Sequence, residues 1–219
     1  MERIDFGVKK YSDGLVLQLT YFEELIKKKK EGKSEGREYL LTGEHTPVIT
    51  IGRRGKETNV LLREEILKDQ GVEVYKTTRG GDVTYHCPGQ LVAYPIIDLE
   101  RHHLGVKDYV NLLEESVIEL LEKYGINGER IEGATGVWID KGTAIERKIC
   151  AIGVKCSHYC TMHGMALNVN ADLRGFSMIN PCGFTDKGVT SMSKELERSV
   201  DFEKVKDEFS DIFFRLLNS

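Results

Sequence analysis

Between residues 38 and 172 the chain strings together short runs rich in β-branched and aromatic residues, each closed by Gly, Pro, Asn or Asp. They read "EYLLTG", "PVITIG", "EVYKTT", "LVAYPIIDL", "GVWID", "KICAIGVK" and "GMALNVNAD". Runs of this length and composition suit strands on a pleated, partly buried surface. Helical periodicity is confined to other stretches. One begins at Leu15 and continues through Leu19, Phe22 and Ile26 into a lysine run and Gly32. A second carries Val110, Leu113, Val117, Leu121 and Tyr124 and stops at Gly125. A third follows Asp201, an N-cap residue, with Phe202, Val205, Phe209, Phe213 and Leu216 on one face. A shorter helix is expected over 62–68. Strands outnumber helices and do not alternate with them. The pattern therefore predicts an α+β chain, a mixed or antiparallel sheet with flanking helices, and not a doubly wound parallel sheet.

No repeat and no linker interrupts the 219 residues, so a single domain over 1–219 is expected. The stretch "KKKKEGKSEGRE", 27–38, reads as a solvated loop. A net charge of −4, with one dense basic run at 27–30, argues against general nucleic-acid binding, which draws on many Lys and Arg contacts to phosphate. The N-terminal "MERIDFGVKK" has no apolar stretch suited to a signal peptide, and no window approaches a membrane span. A cytoplasmic protein is expected, with no membrane partner. The five cysteines, Cys87, Cys150, Cys156, Cys160 and Cys182, are odd in number and unevenly spaced, so no disulfide framework is expected in a reducing compartment.

Two segments concentrate polar chemistry. In "RGGDVTYHCPGQ", Arg79, Gly80, Gly81, Asp82, Val83, Thr84, Tyr85 and His86 run into a Pro88–Gly89 turn. Paired glycines mark either a hairpin turn or a loop whose backbone approaches a ligand closely, and the polar residues after them favour the ligand. In "ERKICAIGVKCSHYCTMHGMALNVNADL", Lys148 opens a strand whose following residues, 149–154, are apolar or small on both faces. That strand is expected to be buried, with its lysine at the mouth of the core. A lysine there either snorkels to the surface or, held against a second functional group, becomes an acid or base. Cys150, Cys156, His158, Cys160 and His163 crowd together, but not in the paired Cys-x2-Cys spacing of structural zinc sites, and no metal is expected. Met165, Leu167 and Val169 alternate as the apolar face of a strand after His163 and Gly164.

Cys182 stands in "INPCG", between a proline and a glycine. It reads either as a small turn filler or as an approachable nucleophile. A free thiol titrates near about 8.5, so a nucleophile needs a partner that lowers that value. Lys148, His86 and His163 are the candidates.

Taken together, "RGGDVTYHCPGQ", "RKICAIG", "MHGMALNVNADL" and "INPCG", with "EHTPVITIGRRG" before them, resemble the octanoyltransferases of lipoate biosynthesis. The resemblance runs in order from about residue 40 to 185. It implies a fold like that of the biotin and lipoate protein ligases and a catalytic dyad of Cys182 and Lys148. It also implies substrate contacts from the 79–86 loop, from Ala151, Ile152 and Gly153, and from Gly164, Met165 and Ala166, beside His163, which the sequence itself offers as a polar contact at the edge of a pocket. The implied partners are octanoyl-acyl carrier protein as donor and the lipoyl domains of 2-oxoacid dehydrogenases and the glycine cleavage H protein as acceptors, with no cofactor. Two departures stand out: Cys87 where the family usually has glycine, and the Cys- and His-rich "KCSHYCTM" where it commonly has Arg-Arg-Gly-Cys-Ser. The rival readings are an ATP-dependent lipoate protein ligase, which needs no cysteine, and a non-catalytic module that binds lipoylated or biotinylated partners.

Overall fold

The computed structural model describes residues 1–32, 36–180 and 188–219. Its first elements are β1 (Glu2–Lys9), α1 (Tyr11–Lys30), β2 (Tyr39–His45), β3 (Val48–Ile51), α2 (Glu64–Asp69), β4 (Glu73–Lys76), β5 (Val83–His86) and β6 (Gln90–Ile96). There follow α3 (Val106–Lys123), β7 (Glu129–Ile131), β8 (Ala134–Ile139), β9 (Arg147–Ser157), β10 (Cys160–Asn168), β11 (Gly188–Val189), α4 (Met192–Glu195) and α5 (Phe202–Leu217).

The large sheet runs β1-β2-β6-β10-β9-β8-β7, with β11 paired to β9. β1 lies parallel to β2 and β11 parallel to β9, while the other neighbours are antiparallel, giving the mixed sheet that the sequence predicts. A small sheet, β4-β3-β5, stands beside it. On one face of the large sheet, α3 and α5 bury Tyr109, Leu113, Val117, Phe209 and Phe213 against Leu91, Ile149 and Leu167. On the other, α1 sets Phe22 and Leu25 against Val92, Ile96 and Met162. The small sheet has its own cluster around Ile49, Val83, Tyr85, Met178 and Ile179.

Several elements depart from expectation for physical reasons. α1 starts at Tyr11 and extends through the four lysines of its last turn, so residues 27–30 are helical and not loop. Those lysines favour the helix by facing the negative end of its dipole. Its buried residues are Tyr11, Gly14, Gln18, Phe22 and Leu25, whereas Leu15, Leu19 and Ile26 are half-buried: the helix has turned a partly polar face inward, toward the site described below. β10 is buried at every position and does not alternate, because α1 covers one face and α3 the other. In β9 only Ile149 and Cys150 are fully buried. Residues 151–154 are half-exposed because they wall a cavity.

Candidate active site

A cavity of about 480 Å³ opens between the 79–86 loop and the middle of the large sheet. Arg79, Gly80, Gly81, Asp82, Val83, Thr84 and His86 line it from the loop and β5. Lys148, Ala151, Ile152 and Gly153 line it from β9, and His163, Gly164, Met165 and Ala166 from β10. Tyr85 is the exception among the residues expected there. Successive side chains of a strand point to opposite faces, so Thr84 and His86 face the cavity while Tyr85 packs into the small sheet's core, its ring edge-on to Phe176 at 5.5 Å.

The close fit of loop and sheet depends on missing side chains. A Cβ on Gly153 would stand 2.8 Å from the Gly80 carbonyl, and one on Gly164 would stand 2.1 Å from the Ala93 carbonyl. Gly80 N–H donates to the Val154 carbonyl at 2.9 Å, docking the loop onto the edge of β9.

A bulge sets Lys148. The β8–β9 register shifts between Val137 and Trp138, so that Trp138 stands opposite Lys148. The ammonium lies 4.4 Å from the centroid of the Trp138 ring, and Nζ donates to the Thr135 carbonyl at 3.1 Å. Gly136, at φ +123°, lets the chain pass there, since a Cβ would meet the Cys150 carbonyl at 2.5 Å. Lys148 is thus a cavity-wall residue and not a freely snorkelling one.

Beneath the loop the polar groups form one committed network. Arg79 donates from Nε and Nη2 to Thr50 Oγ1 at 3.2 and 2.9 Å and from Nη2 to the Thr50 carbonyl at 2.6 Å. Gln90 Nε2 donates to the Tyr85 carbonyl and to Asn168 Oδ1, so Gln90 Oε1 is the acceptor for His86 Nδ1 at 2.7 Å. His86 Nε2 then accepts from the Thr50 hydroxyl at 3.3 Å. Burial, the neighbouring His45 and the Arg79 guanidinium push the His86 pKa down to about 3. Neutral and engaged at both nitrogens, His86 is neither a cation for a thiolate nor a spare donor for an oxyanion.

His163 is built differently. Its φ of +58° is a left-handed conformation inside a strand, one that residues other than glycine, asparagine and aspartate rarely adopt. Gln18, reaching in from α1, holds it there by accepting the His163 N–H at 2.9 Å. The residue is 2% exposed, and among the described residues its Nε2 has no hydrogen-bond partner. Burial, then the Arg79 and Lys155 charges, push its pKa down to about 3. It therefore stands in the cavity wall as a neutral imidazole with an uncommitted nitrogen.

The remaining thiols do not join this site. Cys87 packs in the small sheet's cluster, and burial pushes its pKa up to about 11, so it is no second thiol of the cavity. Cys150 and Cys160 are buried and raised likewise, to about 12 and about 11. Residues 157–160 form the β9–β10 hairpin, whose turn residues His158 and Tyr159 both have positive φ, which disperses the Cys- and His-rich run along two strands. Among the described residues no group of three or more His, Cys, Asp or Glu is placed to hold a metal. Cys182 lies outside the described residues. On its N-terminal side, Asn180 N–H donates to the Asn59 carbonyl, and Asn59 in turn donates to the Asp82 carboxylate at the cavity. On its C-terminal side, Gly188 and Val189 line the cavity, and Val189 pairs with Lys148.

The sequence reading missed Tyr11, Tyr94, Thr135 and Asn168, which also line the cavity, as does Gln90, read from the sequence as a polar contact after the glycine loop. Tyr11 and Tyr94 look like ordinary core aromatics in sequence. Only their packing around His45 and His86 marks them: Tyr11 stacks on His86 at 6.2 Å, and Tyr94 OH donates to His45 Nε2 at 2.8 Å. Gln90 and Asn168 carried a usable signal, being amides inside otherwise apolar strands.

The chain matches the lipoyl protein ligase A/B catalytic domain over residues 16–214. It is 52% identical to an octanoyltransferase of Parabacteroides distasonis over 97% of this chain and 96% of the relative. It is 54% identical to an octanoyltransferase of Bacteroides fragilis over 93% and 91%. Its fold is similar to a bipartite lipoate protein ligase of Thermoplasma acidophilum, with a TM-score of 0.70 at 17% identity, covering 98% of this chain and 84% of that one. The chain belongs to the lipoyl protein ligase A/B catalytic family. Within that family the relatives named here, matched over nearly their full length, are octanoyltransferases. No helix among the described residues is long and apolar enough to cross a membrane.

Proposed function

We propose that the chain, acting as a single catalytic domain, transfers an octanoyl group from octanoyl-acyl carrier protein to a lysine of a lipoyl domain through an acyl-Cys182 thioester. The acceptors are those of 2-oxoacid dehydrogenases and the glycine cleavage H protein. The observation that carries the reading is the pairing of β11, the first described strand after Cys182, with the β9 residue Lys148 in the cavity wall. Chain geometry supports it from the other side: two residues after the anchored Asn180 span at most about 7 Å. The near-full-length identity to octanoyltransferases supplies the substrate class.

In the first step the Cys182 thiolate, paired with the Lys148 ammonium, adds to the thioester carbonyl. The carrier's sulfur leaves with the electron pair of its C–S bond and takes the proton from Lys148. One thioester replaces another, so no nucleotide is needed. In the second step the acceptor amine, having lost a proton to solvent, adds to the acyl-enzyme carbonyl. Lys148 takes the amine's second proton, and the Cys182 thiolate leaves. An amide replaces a thioester, which drives the transfer forward. The His163 imidazole is suited to hydrogen-bond the substrate, and the apolar wall of Ile152 and Met165 is suited to the acyl chain, where each buried methylene contributes about 0.8 kcal/mol.

Lys148→Ala tests the dyad. Alkylation of Cys182, followed by peptide mass spectrometry across pH, is expected to have its midpoint well below about 8.5 in the wild type and near that ordinary thiol value in the variant. Identical midpoints would remove Lys148 from the role.

A further inference from the structure

The polar network beneath the 79–86 loop does not end at Gln90. Gln90 and Asn168 are direct cross-strand partners in the β6–β10 pair. Gln90 Nε2 donates to Asn168 Oδ1 at 2.8 Å, and Asn168 Nδ2 donates onward to the Thr190 carbonyl at 2.9 Å. Thr190 follows directly on β11. Its N–H donates to the Lys148 carbonyl at 2.9 Å, and its hydroxyl donates to Glu195 Oε1. Glu195 in turn receives two bonds from Arg147, at 2.8 and 2.5 Å, and Arg147 is the residue before Lys148.

The order of donors and acceptors is fixed at every link. It starts at the Arg79 guanidinium, passes through Thr50, His86, Gln90 and Asn168, and reaches Thr190, whose hydroxyl is held by the Glu195 carboxylate. Thr50, His86, Gln90, Asn168 and Thr190 are all buried, with Thr50 and Thr190 fully so. A buried network with its members satisfied is rigid, and cutting one link exposes unpaired groups at both cut ends. Asn168 is the link between the loop side and the Lys148 side. An amide fits because it presents one acceptor and one donor on opposite sides. An aspartate would set a carboxylate oxygen against the Thr190 carbonyl, and a leucine would leave one Gln90 amide hydrogen and the Thr190 carbonyl without their Asn168 partner.

We infer that Asn168 is a positioning residue for the transfer reaction: it ties the 79–86 loop to β11 and thereby fixes the chain that follows Cys182 against Lys148. The inference rests on the cysteine–lysine reading above, and its test separates the two. Wild type and Asn168→Leu are compared by amide hydrogen exchange at Thr190 and by the pH midpoint of Cys182 alkylation. The variant is expected to exchange at Thr190 at least about tenfold faster. Its alkylation midpoint is expected to rise by about half a pH unit or more, while thermal unfolding stays cooperative. Faster exchange with an unchanged midpoint overturns the positioning role, and unchanged exchange overturns the tie itself. A wild-type midpoint at the ordinary thiol value overturns the cysteine–lysine reading instead, before any variant enters. If Asn168→Leu does not fold, Glu195→Gln is measured in the same way. It loosens the far end of the same chain and is expected to shift both readouts in the same direction, and no shift in either overturns the inference.

Discussion

His86 and His163 are the same residue type lining one cavity, both buried and both held near a pKa of 3, yet they are built to opposite ends. His86 sits on a regular strand with each ring nitrogen engaged. His163 sits at φ +58° with a buried nitrogen unengaged, propped by a helix side chain that serves its backbone and not its ring. Satisfied polar groups stabilise a fold, whereas strain and an open hydrogen-bond capacity persist only where something else sustains them. The floor of the cavity is thus structure, whereas at its wall His163 keeps a nitrogen that no described residue engages.

Substitutions on the two sides separate these roles. The largest effect is expected for His86→Leu, which leaves the Gln90 amide oxygen and the Thr50 hydroxyl without their partner. Stability falls by about 2–4 kcal/mol in denaturant unfolding, and activity falls with it. A loss below about 0.5 kcal/mol would erase the distinction. His163→Asn comes next. Asparagine tolerates positive φ, so stability stays within about 1 kcal/mol of the wild type, while kcat falls about 10- to 100-fold. A large stability loss with unchanged kcat would move His163 into the floor.

The effect that is smallest near neutral pH is one the two histidines share. Each has a folded pKa far below its unfolded value of about 6.5, so the unfolded chain binds more protons between about pH 6.5 and 3. Their burial costs nothing above about pH 6.5 and destabilises progressively as the pH falls through that window. Each contributes a slope of up to about 1.4 kcal/mol per pH unit. His45, lowered to about 4 by burial, adds to it. In His163→Asn the slope of unfolding free energy against pH is expected to fall by one histidine's share, and an unchanged slope would mean that His163 is already protonated or solvated in the folded state.

Much of the scaffold was legible because period and composition agree. The runs that became β2, β3, β4, β6, β8, β9 and β10 were all visible, as were α3 and α5, whose buried faces carry Leu113, Val117, Phe209 and Phe213. β1 was not, because an edge strand that buries only Phe6 shows no alternation to read. The inward face of α1 was misplaced because Gly14 and Gln18 do not look like core residues. Gly14 is there because a Cβ would stand 2.6 Å from the His45 ring, and Gln18 because His163 needs it. At the site, the glycine loop and the β9 and β10 residues could be named from motifs. The tie through Asn168 joins residues far apart in sequence, so its amides were visible but their connection was not.

The central claim is that the octanoyl group passes through Cys182. Intact-protein and peptide mass spectrometry after mixing the enzyme with octanoyl-acyl carrier protein, with no acceptor and no nucleotide, tests it most directly. The account predicts one octanoyl adduct, mapped to Cys182, labile to hydroxylamine, absent in Cys182→Ser, and discharged when a lipoyl domain is added. Transfer to the lipoyl domain with no adduct on the wild type, or with an adduct that survives in Cys182→Ser, would contradict it.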